Sequence, residues 1–353
     1  MFVTNMDVVN IPPKREPPVR VAAFTGRRDD PASFFRLRQH FAGLRELGLD
    51  LQEFSHPCSR GCRHRGPLKV LPYLPRLRES RRADVTWFTR TFVVGVETIE
   101  LLLKRPRVMD VDDAIWLDRP PVSRLSARHL AGRMDLVIAG NAYIADWFSR
   151  YCPRVEIVPT AIDVERYRPA EKPPVAERFI VGWTGTSSNF PYLDQIEAPL
   201  ARFVADHPDA MLKIIADQPW RPAAIPPERI IYQPWRRAIE VSGLQEMSVG
   251  IMPLADTPWA RGKCSFKMLQ YMAVGLPVVV SPVGMNVEVL ARGVCGLAPA
   301  SPDEWRQALE TLYRRESLRR EYGQTGRRVV EEHFSAQKIV RPLAGILRRA
   351  AGR

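Results

Sequence analysis

Two lysines, Lys263 and Lys267, stand four residues apart in the stretch GKCSFKMLQYMAVGLPVVVSPVG. They lie just ahead of an apolar, helix-like run. A helix N-terminus carries partial positive charge, so lysines are unfavourable there unless an anion is present. Their type and place suit a phosphate or diphosphate; two solvated lysines on an exposed first turn is the competing reading. A second candidate is the loop Gly185-Thr186-Ser187-Ser188, after the strand-like FIVGWTG. Its amides and hydroxyls could cradle phosphate oxygens or simply cap a helix. A third is MDVDDAIW, where Asp110, Asp112 and Asp113 place three carboxylates within four residues. Carboxylates after a strand end could orient a hydroxyl, take up its proton or hold a divalent cation. An acidic turn capping the next helix would look the same. Gly26-Arg27-Arg28 follows the first strand and could meet an anion or be a solvated turn. Trp235, in YQPWRR, suits stacking on a base, though a packed core aromatic is the preferred reading. His56, Cys58, Cys62 and His64 could form a tetrahedral zinc site, but the spacing is not a common finger pattern, and no metal is assigned.

The elements that must position these residues alternate. VRVAAFTG, LDLQEF, DVTWF, RVMDV, DLVIAG and VEIVP read as strands. Between them lie helical patterns: residues 31–47 around Phe34, Leu37, Phe41 and Leu44, then FVVGVETIELLLKR, SRLSARHLAGR and NAYIADWFSRY. Residues 1–18 read as a proline-rich leader and 56–82 as an irregular basic insertion. PAEKPPVAE, at 169–177, reads as a linker. A second series follows: FIVGWTG, MLKIIAD, RIIYQ, SVGIMPL, PVVVSP and CGLAPA as strands, with helices between most of them. Ser301-Pro302-Asp303-Glu304 has the form of a capping box opening a helix to about residue 314. A further helix spans 317–333, and the terminal AQKIVRPLAGILRRAA reads as an amphipathic helix interrupted at Pro342. The expected architecture is α/β, with two doubly wound domains facing across a cleft: residues 1–168, residues 169–335, and a terminal helix at 336–353.

Composition narrows the classes. The chain has 353 residues, 45% of them hydrophobic, enough for two packed domains. Lys+Arg number 52 against 39 Asp+Glu, a formal charge of +13, which favours a polyanionic partner or surface. No recognition-helix or RNA-module signature is present, so nucleic acid is not expected. No apolar run reaches membrane-span length, the start lacks a secretion signal, and five cysteines are an odd number; these point to the cytoplasm.

The run GKCSFKMLQYMAVGLPVVVSPVGMNVEV resembles the donor-binding segment of GT-B-fold, family-4-like glycosyltransferases. VMDVDDAIW, AGNAYIADWF and VPTAIDVERY resemble their amino-terminal domain, and FIVGWTGTSSN the start of their nucleotide-binding domain. The likeness covers roughly residues 19–335. It implies retaining transfer of a sugar from a nucleoside diphosphate sugar to a hydroxyl acceptor, without cofactor or metal, so that protein cations stabilise the leaving diphosphate. Lys263, Lys267, Gly185, Thr186 and Ser187 become donor-side candidates, and Gly26 and Arg27 contacts for acceptor or phosphate. Asp112 stands where many relatives carry a histidine, which adds Asp110, Asp112 and Asp113 as catalytic candidates. The sequence also departs from the pattern. Of two glutamates that relatives space eight apart, the first falls on Gly262 and the second, which usually holds the ribose, on Gln270. Glu288 is the nearest remaining carboxylate and a candidate to read sugar or ribose. A glycan or lipid-linked acceptor in cell-envelope synthesis, at an anionic membrane face, would suit the basic surface. An epimerase or hydrolase of the same fold, and a non-catalytic polyanion or glycan binder, are the alternatives.

Overall fold

The computed structural model describes residues 17–28, 30–56, 66–93, 96–171 and 178–353. Strands β1 (Val19–Thr25), β2 (Leu49–Ser55), β3 (Val85–Thr89), β4 (Arg107–Val111), β5 (Leu136–Ala139) and β6 (Val155–Ile157) form one sheet, ordered β2-β1-β3-β4-β5-β6. Strands β7 (Phe179–Gly185), β8 (Ala210–Ala216), β9 (Ile230–Pro234), β10 (Val249–Met252), β11 (Val278–Val280) and β12 (Gly296–Leu297) form the second, ordered β12-β11-β10-β7-β8-β9. Every strand pair is parallel. The near-continuous apolar strands require cover on both faces, and helices supply it. Phe24, Phe88 and Met109 pack on one face of the first sheet, and Val21, Trp87 and Leu136 on the other.

The order in which successive strands are added reverses between β1 and β3 in the first sheet and between β7 and β10 in the second. Loops leaving the carboxyl ends of these strands part there and open a crevice. The loops after β1, β3 and β4 therefore face those after β7 and β10. These are the segments that carry most of the candidate residues.

Three elements differ from the sequence reading. Among the described residues of the expected helix at 92–105, only a 3₁₀ turn at Glu100–Leu102 is helical. The buried Glu100 carboxylate accepts the Phe92 and Thr98 amides and holds the segment as a tight loop. Its β-branched run, Val93, Val96, Thr98 and Ile99, also favours helix weakly. Part of the expected irregular insertion is helical, as a 3₁₀ segment Gly66–Tyr73 and a helix Leu74–Ser80. The terminal helix Ala336–Ala350 runs unbroken through Pro342. Pro342 and Lys338 are exposed, so the carbonyl that lacks its helical donor faces water. Ile339, Leu343, Ile346 and Leu347 meanwhile bury one stripe against the first domain. The chain reaches that domain where Ile162 and Ala336 exchange backbone bonds with Phe334 and each other, at 2.8 and 2.9 Å. The leader to residue 16, most of the linker and the cysteines at 58 and 62 lie outside the described residues.

Behind the crevice floor lies a buried ion pair. Arg36 Nε donates to Asp110 Oδ1 at 2.6 Å, and its Nη1 donates to Val158 O at 2.9 Å and Thr160 Oγ1 at 3.1 Å. Asp110 is 2% exposed, and burial pushes its carboxyl up to about 6 despite the opposing Arg36. The expectation of a catalytic Asp110 is corrected here: the carboxylate faces the protein interior and Arg36. Replacing Asp110 by Ala orphans a buried guanidinium and should cost about 3–5 kcal/mol of stability in denaturant unfolding. Pairing Asp110→Leu with Arg36→Met should recover most of that loss.

Candidate active site

The crevice encloses about 520 Å³. Arg27, Asp30, Arg90, Asp112, Asp113 and Thr160 line it from the first domain. Thr184, Gly185, Thr186, Lys263, Lys267 and Gln270 line it from the second, with Trp235 and Glu240 alongside.

The lysine loop is built in steps. Thr257 caps the short helix Pro258–Arg261, and Arg261 pairs with Asp256 at 2.6 Å. Ser265 then takes a left-handed backbone, φ 51°, ahead of the helix Phe266–Ala273. Its hydroxyl donates to Asn286 Oδ1 at 2.7 Å instead of capping the helix. Asn286 in turn donates to Ser281 O at 3.0 Å, and the Ser281 hydroxyl accepts the Leu254 amide at 2.9 Å. The SPVGMN segment thus braces the loop from behind. Gly284, φ 55°, allows this, because a Cβ there would lie 2.9 Å from Arg261 O. No side chain caps the helix N-terminus, and it opens toward the crevice beside Lys263 and Lys267.

Neither lysine has a carboxylate within ion-pair distance among the described residues. Lys263 Nζ lies 5.8 Å from the Tyr192 and Trp259 rings. The Lys267 stem lies over Gly185, where a Cβ would come within 2.5 Å of its Cε. Burial, and then repulsion from Lys263, push the Lys267 ammonium down to about 7, against the pull of Asp113. The facing group shifts the other way. Burial and the neighbouring Asp112 push Asp113 up to about 6, opposed by Lys263, Arg90 and Lys267. Two groups on opposite walls are thereby poised near neutrality.

Arg90 completes the first-domain wall. It adopts a left-handed backbone, φ 37°, straight after β3. Its guanidinium lies 3.8 Å from both Asp30 Oδ1 and Asp113 Oδ2. Burial alone would lower its pKa, but Asp112, Asp113 and Asp30 together raise it. Arg90 was missed in the sequence. The available signal was a cation directly after a strand at the reversal point. Asp30 caps the helix Pro31–Arg36 by accepting the Ser33 amide at 2.9 Å, and it also lines the crevice. Glu240 was missed as well, since it sits in an ordinary helical stretch.

The remaining candidates separate. Ser187 does not line the crevice. Its amide and hydroxyl both donate to Asp217, at 2.6 and 3.0 Å, whereas Gly185 and Thr186 line the crevice. Gly26 lies behind the wall with its amide on Ser33 Oγ at 2.8 Å, while Arg27 reaches the crevice. Glu288 is exposed on the helix Met285–Leu290 and is not among the lining residues. Trp235 is half-buried, packed against the edge of the core and also lining the crevice, and its Nε1 donates to Glu240 Oε1 at 2.9 Å. Of the Cys/His group only His56 is described, with its ring 5.4 Å from that of Tyr73.

Residues 186–315 match the family model described as Glycosyl transferases group 1. No curated protein matches the chain. Among solved structures, sucrose-phosphate synthase (tll1590) from Thermosynechococcus elongatus is similar with a TM-score of 0.71 at 13% identity, over 94% of this chain and 98% of that one. Anabaena Alr3699/HepE in complex with UDP has a TM-score of 0.66 at 16% identity, over 93% and 99%. WaaG, a glycosyltransferase involved in lipopolysaccharide biosynthesis, has a TM-score of 0.66 at 12% identity, over 93% and 99%. The two parallel sheets, their facing reversal points and these neighbours make the fold that of the GT-B glycosyltransferases, with residues 186–315 similar in sequence to glycosyl transferases group 1.

Proposed function

We propose that the protein transfers a sugar, with retention, from a nucleoside diphosphate sugar in the crevice to a hydroxyl acceptor on the first-domain side. One observation carries this reading: two lysines without ion-pair partners among the described residues and an uncapped helix N-terminus converge on one wall of the crevice. Buried positive charge without a counter-ion is unfavourable, so the arrangement is suited to an arriving dianion. A leaving diphosphate develops charge there as the glycosidic bond breaks. Lys263, Lys267 and the amides of the first helical turn would stabilise it without a metal. Asp112 and Asp113 stand across the crevice, placed to orient the acceptor hydroxyl, with Arg90 holding Asp113. The complex of HepE with UDP supports a nucleoside diphosphate as donor.

We further propose that the acceptor is a cell-envelope glycan or lipid-linked precursor, met at an anionic membrane surface. No described helix is long and apolar enough to cross a membrane. The helix Val122–Ala131 exposes Val122 and Leu125 beside Arg124 and Arg128, and Leu71 and Leu74 are exposed on a second helical segment covering the same sheet face. Apolar and cationic side chains on one outer layer suit insertion among anionic headgroups. Vesicles rich in phosphatidylglycerol should co-sediment the protein, and pure phosphatidylcholine vesicles should not. Leu125→Glu with Arg128→Glu should abolish that difference; equal sedimentation with both lipids argues against the membrane reading.

Calorimetry with UDP, GDP, ADP and dTDP at moderate salt tests the donor site. One of them should bind, and Lys263→Ala with Lys267→Ala should weaken it at least about tenfold to a hundredfold, the scale of charge-assisted hydrogen bonds. Sugar transfer to an added acceptor then separates a transferase from a hydrolase, which releases free sugar, and from a binder, which turns nothing over. The transfer rate should also depend on pH in a definite sense. Asp113 must be ionised, so kcat/KM should rise through about pH 6. Lys267 must be protonated in the free enzyme, so kcat/KM should fall above about pH 7. Lys267→Arg should remove the alkaline limb and leave the acid limb in place.

A further inference from the structure

We propose that Glu240 reads the ribose of the donor, supplying the carboxylate that the helix Phe266–Ala273 lacks at Gln270, so that the site selects ribonucleotides over nucleotides without ribose hydroxyls. The inference rests on the nucleoside diphosphate reading above.

Gln270 is 3% exposed, and both N–H groups of its amide are occupied. Nε2 donates to Glu240 Oε1 at 2.9 Å and to the Tyr167 hydroxyl at 3.2 Å. It therefore has no donor left for a ligand, and its role is to hold Glu240. The Tyr167 hydroxyl donates to Glu240 Oε2 at 2.5 Å, and Trp235 Nε1 donates to Oε1 at 2.9 Å. A carboxylate accepts about four hydrogen bonds, so three donors leave capacity on Oε2. Arg166 is 3.9 Å from that oxygen, close enough to favour its charge. Glu240 is 4% exposed, yet it lines the crevice.

A buried carboxylate is costly, and three neutral donors oriented on it fix its direction. What it offers the crevice is an acceptor. Its ligand must be a donor without negative charge, which a ribose hydroxyl is and a phosphate is not. The spacing agrees: Gln270, which holds the Glu240 carboxylate, is three residues after Lys267 on the same helix face. The Trp235 ring, attached to the same carboxylate, borders the place where a base would follow the ribose.

The experiment is calorimetric titration of the preferred ribonucleoside diphosphate and its 2′,3′-dideoxy counterpart into the wild type and Glu240→Gln. The wild type should bind the ribonucleotide about tenfold to a hundredfold more tightly, as for a hydrogen bond to a charged acceptor. Glu240→Gln should bring that ratio close to one while leaving dideoxynucleotide affinity near that of the wild type. A wild-type ratio near one overturns the proposal without any variant. So does a ratio unchanged by Glu240→Gln, or an equal weakening of both ligands, which is what a merely structural role for Glu240 predicts. If no nucleoside diphosphate binds, the donor reading fails and this inference falls with it; if both bind alike, only this inference fails.

Discussion

The site exists because one loop of the second domain is clasped by the first. Asn141, whose side-chain oxygen caps the helix Ala142–Ser149, donates from its side-chain Nδ2 to Gly262 O at 3.2 Å and Lys263 O at 3.1 Å. The Cys264 thiol donates to Asp112 O at 3.1 Å. Two glycines make this approach possible. A Cβ on Gly140 would lie 2.3 Å from Cys264 Sγ, and one on Gly262 would lie 2.6 Å from Ala114 Cβ. The backbone that presents Lys263 is thus set against the backbone that presents Asp112 and Asp113. Without this contact, the two lysines would not face the Asp112 and Asp113 carboxylates across the crevice.

With the walls joined, their charges adjust to one another. Lys267 loses affinity for its proton and Asp113 gains affinity for one, each because burial disfavours the charged form. Each also acts on the other with a sign that limits the shift. A diphosphate arriving at Lys267 would replace the weak, distant pull of Asp113 by direct contact and restore the full charge. Arg90 acts on the acceptor side in the same manner, keeping Asp30 and Asp113 within reach of a fixed cation. Its left-handed backbone, uncommon for a residue with a side chain, persists because its amide donates to Asp110 O at 2.7 Å and its guanidinium is engaged on two sides.

Much of this was legible in the sequence because it was written in runs. Continuous apolar strands at short spacing declare a parallel sheet, and VVVSPVGMN between a glycine turn and a helix declares a strand end. Lys263 and Lys267 were readable because a helix N-terminus makes their charge anomalous. The misreadings have local causes. FVVGVETIELLLKR has helical apolar spacing, but Glu100 takes the amides that a helix would need. Pro342 should stop a helix, but its unbonded partner is exposed and the buried stripe continues past it. Asp110 shares a short acidic run with Asp112 and Asp113, yet it still lies inside β4 and pairs with buried Arg36, a residue 74 positions away, while the other two follow the strand end. Arg90 and Glu240 belong to no motif, and only the fold brings them to the crevice.

The departures from the glycosyltransferase pattern follow from the same clasp. A carboxylate side chain at position 262 would collide with Ala114, whose nitrogen is 3.0 Å from the Cβ site as well. The close contact that brings Lys263 to the first-domain wall therefore excludes a glutamate at that position. Asp112 and Asp113 already place carboxylates on the facing wall, immediately before the alanine that Gly262 touches. At position 270 the amide is not a weaker copy of a carboxylate. A glutamate there would lie beside Glu240 and Tyr167, where two buried anions would repel; an amide donates to both. One residue cannot be judged without the other, since the side chain that looks like a loss at 270 is the donor that a buried carboxylate at 240 requires.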